Sequence, residues 1–266
     1  MPETPTRDTL RSRGDIGVLV VGHGTRSERG RREFLDVASM LARRLSPQPV
    51  EAGFLEIAEP SLERAIDRLM QKNLGKIVVA PLLLFAAGHA KQDIPFRVQR
   101  AVEAHGRIPT VQMNPLGRAA PIVELSHRRY QRAIDVHLYV APSQTALLLV
   151  GRGSRDDEAA AEMRAFSKER GALTDFASVT TCFLAMAEPS LEEAIEQLGT
   201  SPYARTVVQP HLLFHGELMQ RLASTTRAAS IRFPDTEWVT ADYLGPHVLI
   251  VDAVEEGIQV AAKKIT

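Results

Sequence analysis

The chain has 266 residues and only one cysteine, Cys182, which excludes an internal disulfide and a cysteine-built metal cage. It has no surplus of either charge: 32 Lys plus Arg stand against 32 Asp plus Glu. No net positive field is therefore available to hold a nucleic acid, and any recognition of anions has to be local. Long apolar runs are missing too. Nothing approaches the roughly 18 uninterrupted apolar residues of a membrane span, and no apolar stretch near the N-terminus reads as a secretory signal. A cytosolic protein with neither nucleic-acid nor membrane partners is the default expectation. No Gly-Lys-Ser/Thr phosphate loop occurs, so consumption of nucleotide is not expected. What remains, 44% apolar and 24% charged residues, is ordinary globular composition with enough chain for one large or two modest cores.

Residues 1–15 carry almost nothing to bury and read as a flexible tail. From Ile16 onward, short β-branched runs alternate with segments of helical spacing, the pattern of βα units around a parallel sheet. Strands are expected at Ile16–Gly22, Val50–Leu55, from Ile77 to about Ala80, and Thr110–Met113. Pro81 should end regular pairing of the third, because proline donates nothing to a ladder. Helices follow at Arg26–Leu45, from Pro60 and Ser61, around Ile94–Val102, and at Ile122–Ile134.

The plan then repeats. VGHGTR at Val21–Arg26 returns as VGRGSR at Val150–Arg155, FLEIAEPSL from Phe54 as FLAMAEPSL from Phe183, and the Pro81 run at Pro210, each displaced by 129 positions. Leu116-Gly117 answers Leu244-Gly245 at a displacement of 128. Four matches in order indicate a duplicated unit. The expected fold class is α/β, with two tandem flavodoxin-like lobes, each a four-stranded parallel sheet flanked by helices. The lobes are placed at 16–140 and 146–266 with a linker at 141–145, and a ligand is expected in a cleft between them.

Loops at the carboxyl ends of parallel strands share one edge, and ligands bind there. That rule selects His23 after the first strand, Glu56 after the second, and His89 in the loop after the third. Two imidazoles and a carboxylate can ligate a divalent first-row metal while leaving positions open. The same groups can accept protons near neutral pH. Taken singly, each is as well read as a turn, helix-start or solvated loop residue; their shared edge is what singles them out. Arg26, Lys91, Arg152 and Arg155 supply positive charge near the same edges and suit carboxylates or phosphates. Arg152 replaces His23 in the repeat, Ala185 replaces Glu56 and Leu218 stands at the place of His89, so one site per chain is expected, in the first lobe. The glycines beside His23 also allow a phosphate-handling reading, but the dinucleotide fingerprint is incomplete, since Ser27 stands where a third glycine would. His105, His127 and His137 show no partners. His211 and His215 fall in a strand-to-loop segment, His247 has no visible role, and Cys182 reads as a small core residue.

VVGHGTR around His23, FLE-x-x-x-P from Phe54 to Pro60 and PLLLFAAGHAKQDIP around His89 together resemble the sirohydrochlorin chelatases of the class II chelatase superfamily, over essentially everything after the tail. The resemblance implies metal capture by His23 and His89, with Glu56 close by to hold the metal or orient a histidine. It implies ATP-independent insertion of Co2+ or Fe2+ into sirohydrochlorin for cobalamin or siroheme biosynthesis. The metal is then a substrate, with no permanently bound cofactor. Arg26, Lys91, Arg152 and Arg155 become candidates for the ring's carboxylates, and Phe54, Leu84, Phe85 and Phe214 for apolar walls. A carrier that binds metal or tetrapyrrole without turnover would use the same residues. The metal, the pathway and the oligomeric state, monomer included, stay open.

Overall fold

A computed structural model describes residues 16–72, 74–85, 88–106 and 108–265, with the backbone alone at 88–91 and 265. The expected tail, 1–15, lies outside the described residues. In chain order the elements of the first repeat are β1 (Ile16–Gly22), α1 (Glu28–Leu45), β2 (Val50–Phe54), α2 (Leu62–Met70), β3 (Lys76–Pro81), α3 (Gly88–Glu103), β4 (Thr110–Gln112) and α4 (Ala120–Ile134). A short 3-10 turn, Pro142–Gln144, precedes the second set. That set is β5 (Thr145–Gly151), α5 (Asp157–Gly171), β6 (Ser178–Phe183), α6 (Leu191–Gly199), β7 (Arg205–Pro210), α7 (Glu217–Arg232), β8 (Glu237–Thr240) and α8 (Val248–Ala262).

The strands form two four-stranded sheets, ordered β2-β1-β3-β4 and β6-β5-β7-β8, with every pairing parallel. The order explains the sequences. β1 and β5 each have neighbours on both sides and helices on both faces, so all seven residues of each are buried, and continuous apolar runs serve where an edge strand would alternate. Over one face of the first sheet, Leu62, Ala65, Ile66 and Leu69 of α2 and Ile94, Val98 and Val102 of α3 pack on Leu19, Val21, Ile77 and Val79. Burying each of the leucine, isoleucine and valine side chains among them stabilises the fold by roughly 1.5–3 kcal/mol. Leu148, Val150 and Val208 do the same beneath α6 and α7 in the second sheet.

Three local expectations need correction. Pro60 lies before α2, not in its first turn: Ser61 is the N-cap, and its hydroxyl accepts from the Arg64 N–H, satisfying a donor that the helix leaves open. Pro81 is the last residue of β3, paired in register with Val21. The next donor to Val21 is the Leu82 N–H, at 2.8 Å, so β1 asks no hydrogen from the proline. His89 is in the first turn of a helix and not in a loop, since α3 starts at Gly88.

The largest difference concerns the lobes. The structure divides into two compact units that do not follow the expected 16–140 and 146–266 halves. One comprises the described residues up to Leu83, Gly88–Leu116 and the chain from Ile250; the other holds Leu84, Phe85 and Gly117–Leu249. Each repeat thus gives its final helix to the other unit. α4 is bound into the second by Gln209, whose Nε2 donates to Ser126, and by Arg129, which donates to the Leu244 carbonyl. α8 is bound into the first by Arg44, which pairs with Asp252 at 2.6 Å and Glu255 at 3.1 Å. It is also held there by Gly257, whose missing side chain leaves room for Met113.

Candidate functional site

In the first unit, β1 ends at Gly22 and turns through His23, Gly24 and Thr25 before Ser27 caps α1, its side chain accepting from the Gly30 N–H. β2 ends at Phe54, and its continuation runs beside that turn. The Leu55 N–H donates to the Gly22 carbonyl at 2.9 Å and the Glu56 N–H to the His23 carbonyl at 3.1 Å. Gly24 is required there. It has φ +118, and a Cβ would stand 1.8 Å from the Glu56 carbonyl oxygen, so only glycine lets the two loops approach this closely.

The close approach places the His23 Nδ1 3.2 Å from Glu56 Oε1, with both side chains accessible, at 40% and 56% exposure. A carboxylate beside Nδ1 favours the tautomer with the proton on that nitrogen. The Nε2 lone pair is then directed away from Glu56 and available to a metal ion or a proton, the relation in which a carboxylate orients a ligating imidazole.

Of the expected triad, the structure therefore brings His23 and Glu56 together. Among the described residues there is no group of three or more His, Cys, Asp or Glu side chains arranged to hold a metal ion; the side chains of His89 and Lys91 lie outside them. Arg26 is exposed three positions after His23, and Arg152 and Arg155 are exposed on the corresponding turn of the second unit. None of these three arginines has an ion-pair partner among the described residues. Phe54 is core, not wall: it is 2% exposed and its ring lies 4.4 Å from that of Phe34.

Sequence reasoning missed Arg97. From α3, the helix whose first turn contains His89, it donates to the Leu55 carbonyl and pairs with Glu63 of α2, fastening that helix to the residue before Glu56. Arg221 of α7 does the same in the second unit, donating to the Leu184 carbonyl at 2.7 Å and to Glu192 at 2.8 Å. Glu63 and Glu192 obey the 129-residue displacement, but the two arginines are 124 apart, so alignment of the repeats hides the correspondence.

The other histidines also change. His105 and His137 do have partners, Asp67 and Glu237, each at 2.7 Å. His247 accepts from the Leu249 N–H at the start of α8. His211 is 2% exposed, its ring stacked on Phe166 at 3.8 Å and tilted toward Phe85 at 5.5 Å. Neither ring nitrogen has a partner among the described residues, and burial pushes its pKa down to about 3, so it is neutral in the folded protein. Cys182 is the core residue expected of it, with burial pushing its thiol up to about 12.

The sequence profile of the CbiX family matches residues 17–133 and again 146–261, once per repeat. The chain belongs to the CbiX family. It is 30% identical to the sirohydrochlorin ferrochelatase of Priestia megaterium, across 86% of this chain and 84% of that one. To the sirohydrochlorin cobaltochelatase of the same organism it is 28% identical, across 91% and 80%. The solved structure of SirB from Bacillus subtilis with Fe3+ superimposes with a TM-score of 0.83 at 25% identity, covering 94% of this chain and 97% of that one.

Proposed function

We propose that this CbiX-family protein is a sirohydrochlorin metal chelatase, inserting Fe2+ or Co2+ into the metal-free macrocycle without nucleotide. The observation that carries the reading is the His23–Glu56 pair at 3.2 Å on the strand-end edge of the first sheet. Support comes from relatives of both specificities that align along most of the chain. Insertion exchanges one divalent ion for the two protons of the ring's N–H groups, so charge balances without redox chemistry or a phosphate donor. The protein must bring the ion up on few enough ligands to release it, and must take protons away.

His23 fits both duties, though not at the same instant. With its Nδ1 proton held toward Glu56, Nε2 receives the metal; once the ion has passed to the ring, the same lone pair accepts a proton. Glu56 stabilises the imidazolium then formed, and proton acceptance by a positioned base accounts for roughly 10²- to 10⁴-fold in rate. His89, at the start of α3, is assigned as the second metal donor, and Arg26, Lys91, Arg152 and Arg155 as partners of the ring's carboxylates. Imidazole and carboxylate accept iron and cobalt alike, so the donor set leaves selection between them to metal supply.

The test is an anaerobic assay of metal-free sirohydrochlorin with ferrous and, in parallel, cobaltous ions, followed by the change in visible absorption. Multiple turnovers without nucleotide are expected. Stoichiometric binding of ring or metal with no insertion would convert the reading to that of a carrier.

A further inference from the structure

Beside Glu56 the backbone does something costly. Ile57 has φ 68, a left-handed conformation that is a genuine outlier for a β-branched residue. It is the middle of a three-residue turn closed by the Ala58 N–H on the Glu56 carbonyl at 2.7 Å, the positive-φ γ-turn, which is rare and strained. Strain of this kind costs on the order of 1–3 kcal/mol. Glycine or asparagine would adopt the same backbone more readily, yet the position holds an isoleucine whose surface is 63% exposed. The second repeat repeats the choice: Met186, 129 positions on, has φ 61 and is 58% exposed.

A lone exposed aliphatic residue on a relaxed backbone needs no explanation. Here the repeated fold explains the backbone, since positive φ recurs at Met186. It does not explain the residue, because in both copies a large apolar side chain stands in water at a position that penalises it. Packing within the fold cannot be the reason for a side chain that is mostly uncovered. A ligand with an apolar surface can be.

We propose that Ile57 is a substrate contact, an aliphatic platform beside His23 and Glu56 on which the flat face of the tetrapyrrole rests. It rests on the chelatase reading above and adds a residue to which neither charge nor metal chemistry points. Ile57 follows Glu56 directly in the chain, and Glu56 stands 3.2 Å from His23, so the contact belongs to the same loop that holds the carboxylate beside the imidazole. The macrocycle's periphery is anionic, but its face is apolar, and an aliphatic contact discriminates that face from free metal and small anions.

The experiment compares wild type with Ile57→Asn, Ile57→Gly and Ile57→Leu. Each is titrated with metal-free sirohydrochlorin in the absence of metal, then assayed with ring and metal varied separately. The Asn and Gly variants relieve strain, so melting temperature should hold or rise. Their ring dissociation constant and KM for the ring should rise about 5- to 30-fold, the size expected for losing one aliphatic contact. KM for the metal and kcat should stay within about twofold, and Leu should restore most of the affinity. Unchanged ring binding in both Asn and Gly overturns the proposal, as does a loss confined to kcat, which would assign the turn to positioning Glu56. Wild type that binds the ring but inserts nothing sinks the chelatase reading while the titration still decides the contact; wild type that does not bind the ring overturns both.

Discussion

The two repeats have nearly the same backbone and unlike side chains. Gly153 copies Gly24, with φ +86 and a would-be Cβ 1.6 Å from the Ala185 carbonyl oxygen, and the Ala185 N–H donates to the Arg152 carbonyl at 3.0 Å as Glu56 does to His23. Even the exposed residue at positive φ is kept. What the second copy lacks is chemistry: an arginine for the imidazole, an alanine for the carboxylate, and Leu218 at the place of His89, packed against the second core. Loop geometry is therefore a property of the repeated fold, and on the function proposed above the activity belongs to the few side chains mounted on it.

That contrast can be broken most forcefully at its centre. His23→Ala should lower metal insertion by roughly 10²- to 10⁴-fold, while Arg152→Ala, at the corresponding place, should cost less than tenfold and act on KM for the ring; comparable kcat losses would mean that both copies share the reaction. The glycines should behave alike in stability and differently in activity. Gly24→Ala and Gly153→Ala each force a Cβ into a backbone carbonyl and should each destabilise by about 2–3 kcal/mol, measured by denaturant unfolding. Among the surviving folded molecules, only Gly24→Ala should have lost insertion, because only there does the displaced loop carry an acid against an imidazole.

His211 sharpens the comparison from the other side. It stands 129 positions after Leu82, so one repeat buries an imidazole where the other buries leucine. Folded, it takes up a proton only near pH 3; unfolded, near its ordinary 6.5. The unfolded chain therefore binds more protons over that interval, and stability is lost as pH falls from 6.5 toward 3. At about 1.4 kcal/mol per pH unit this amounts to roughly 2 kcal/mol by pH 5. His211→Leu should flatten that part of the profile in thermal melts at pH 7, 6 and 5; an unchanged slope would show that other groups set it. The smallest effect is expected at the Arg97 and Arg221 latches. Arg97→Lys removes the fork that spans Leu55 and Glu63, and should reduce insertion severalfold, about 1 kcal/mol. Arg221→Lys should leave kcat within twofold.

Much of this was legible in the sequence for definite reasons. β1 was readable to the residue because a strand buried on both faces is a continuous apolar run. The duplication showed in GHGTR and GRGSR, and the meeting of His23 with Glu56 followed from parallel topology alone. The exchange of α4 and α8 was not legible, since helical periodicity marks an apolar face without saying which sheet it covers. Nor were the partners of His105 and His137, which are non-local ion pairs, or the turn at Ile57, where residue type argues against the conformation adopted. Pro60 and Pro81 were misplaced by one or two positions because the rules for proline name tolerated sites, and the register decides among them.

The central claim is that the first repeat's loops hold the reacting groups on a frame the second repeat also possesses. The most direct measurement converts one copy into the other: the initial rate of ferrous and cobaltous insertion by the double variant His23→Arg, Glu56→Ala, alongside its melting temperature. The account predicts an intact fold, melting within a few degrees of wild type, and insertion reduced at least 10²-fold with both metals. A double variant that still inserts metal at close to the wild-type rate would contradict it.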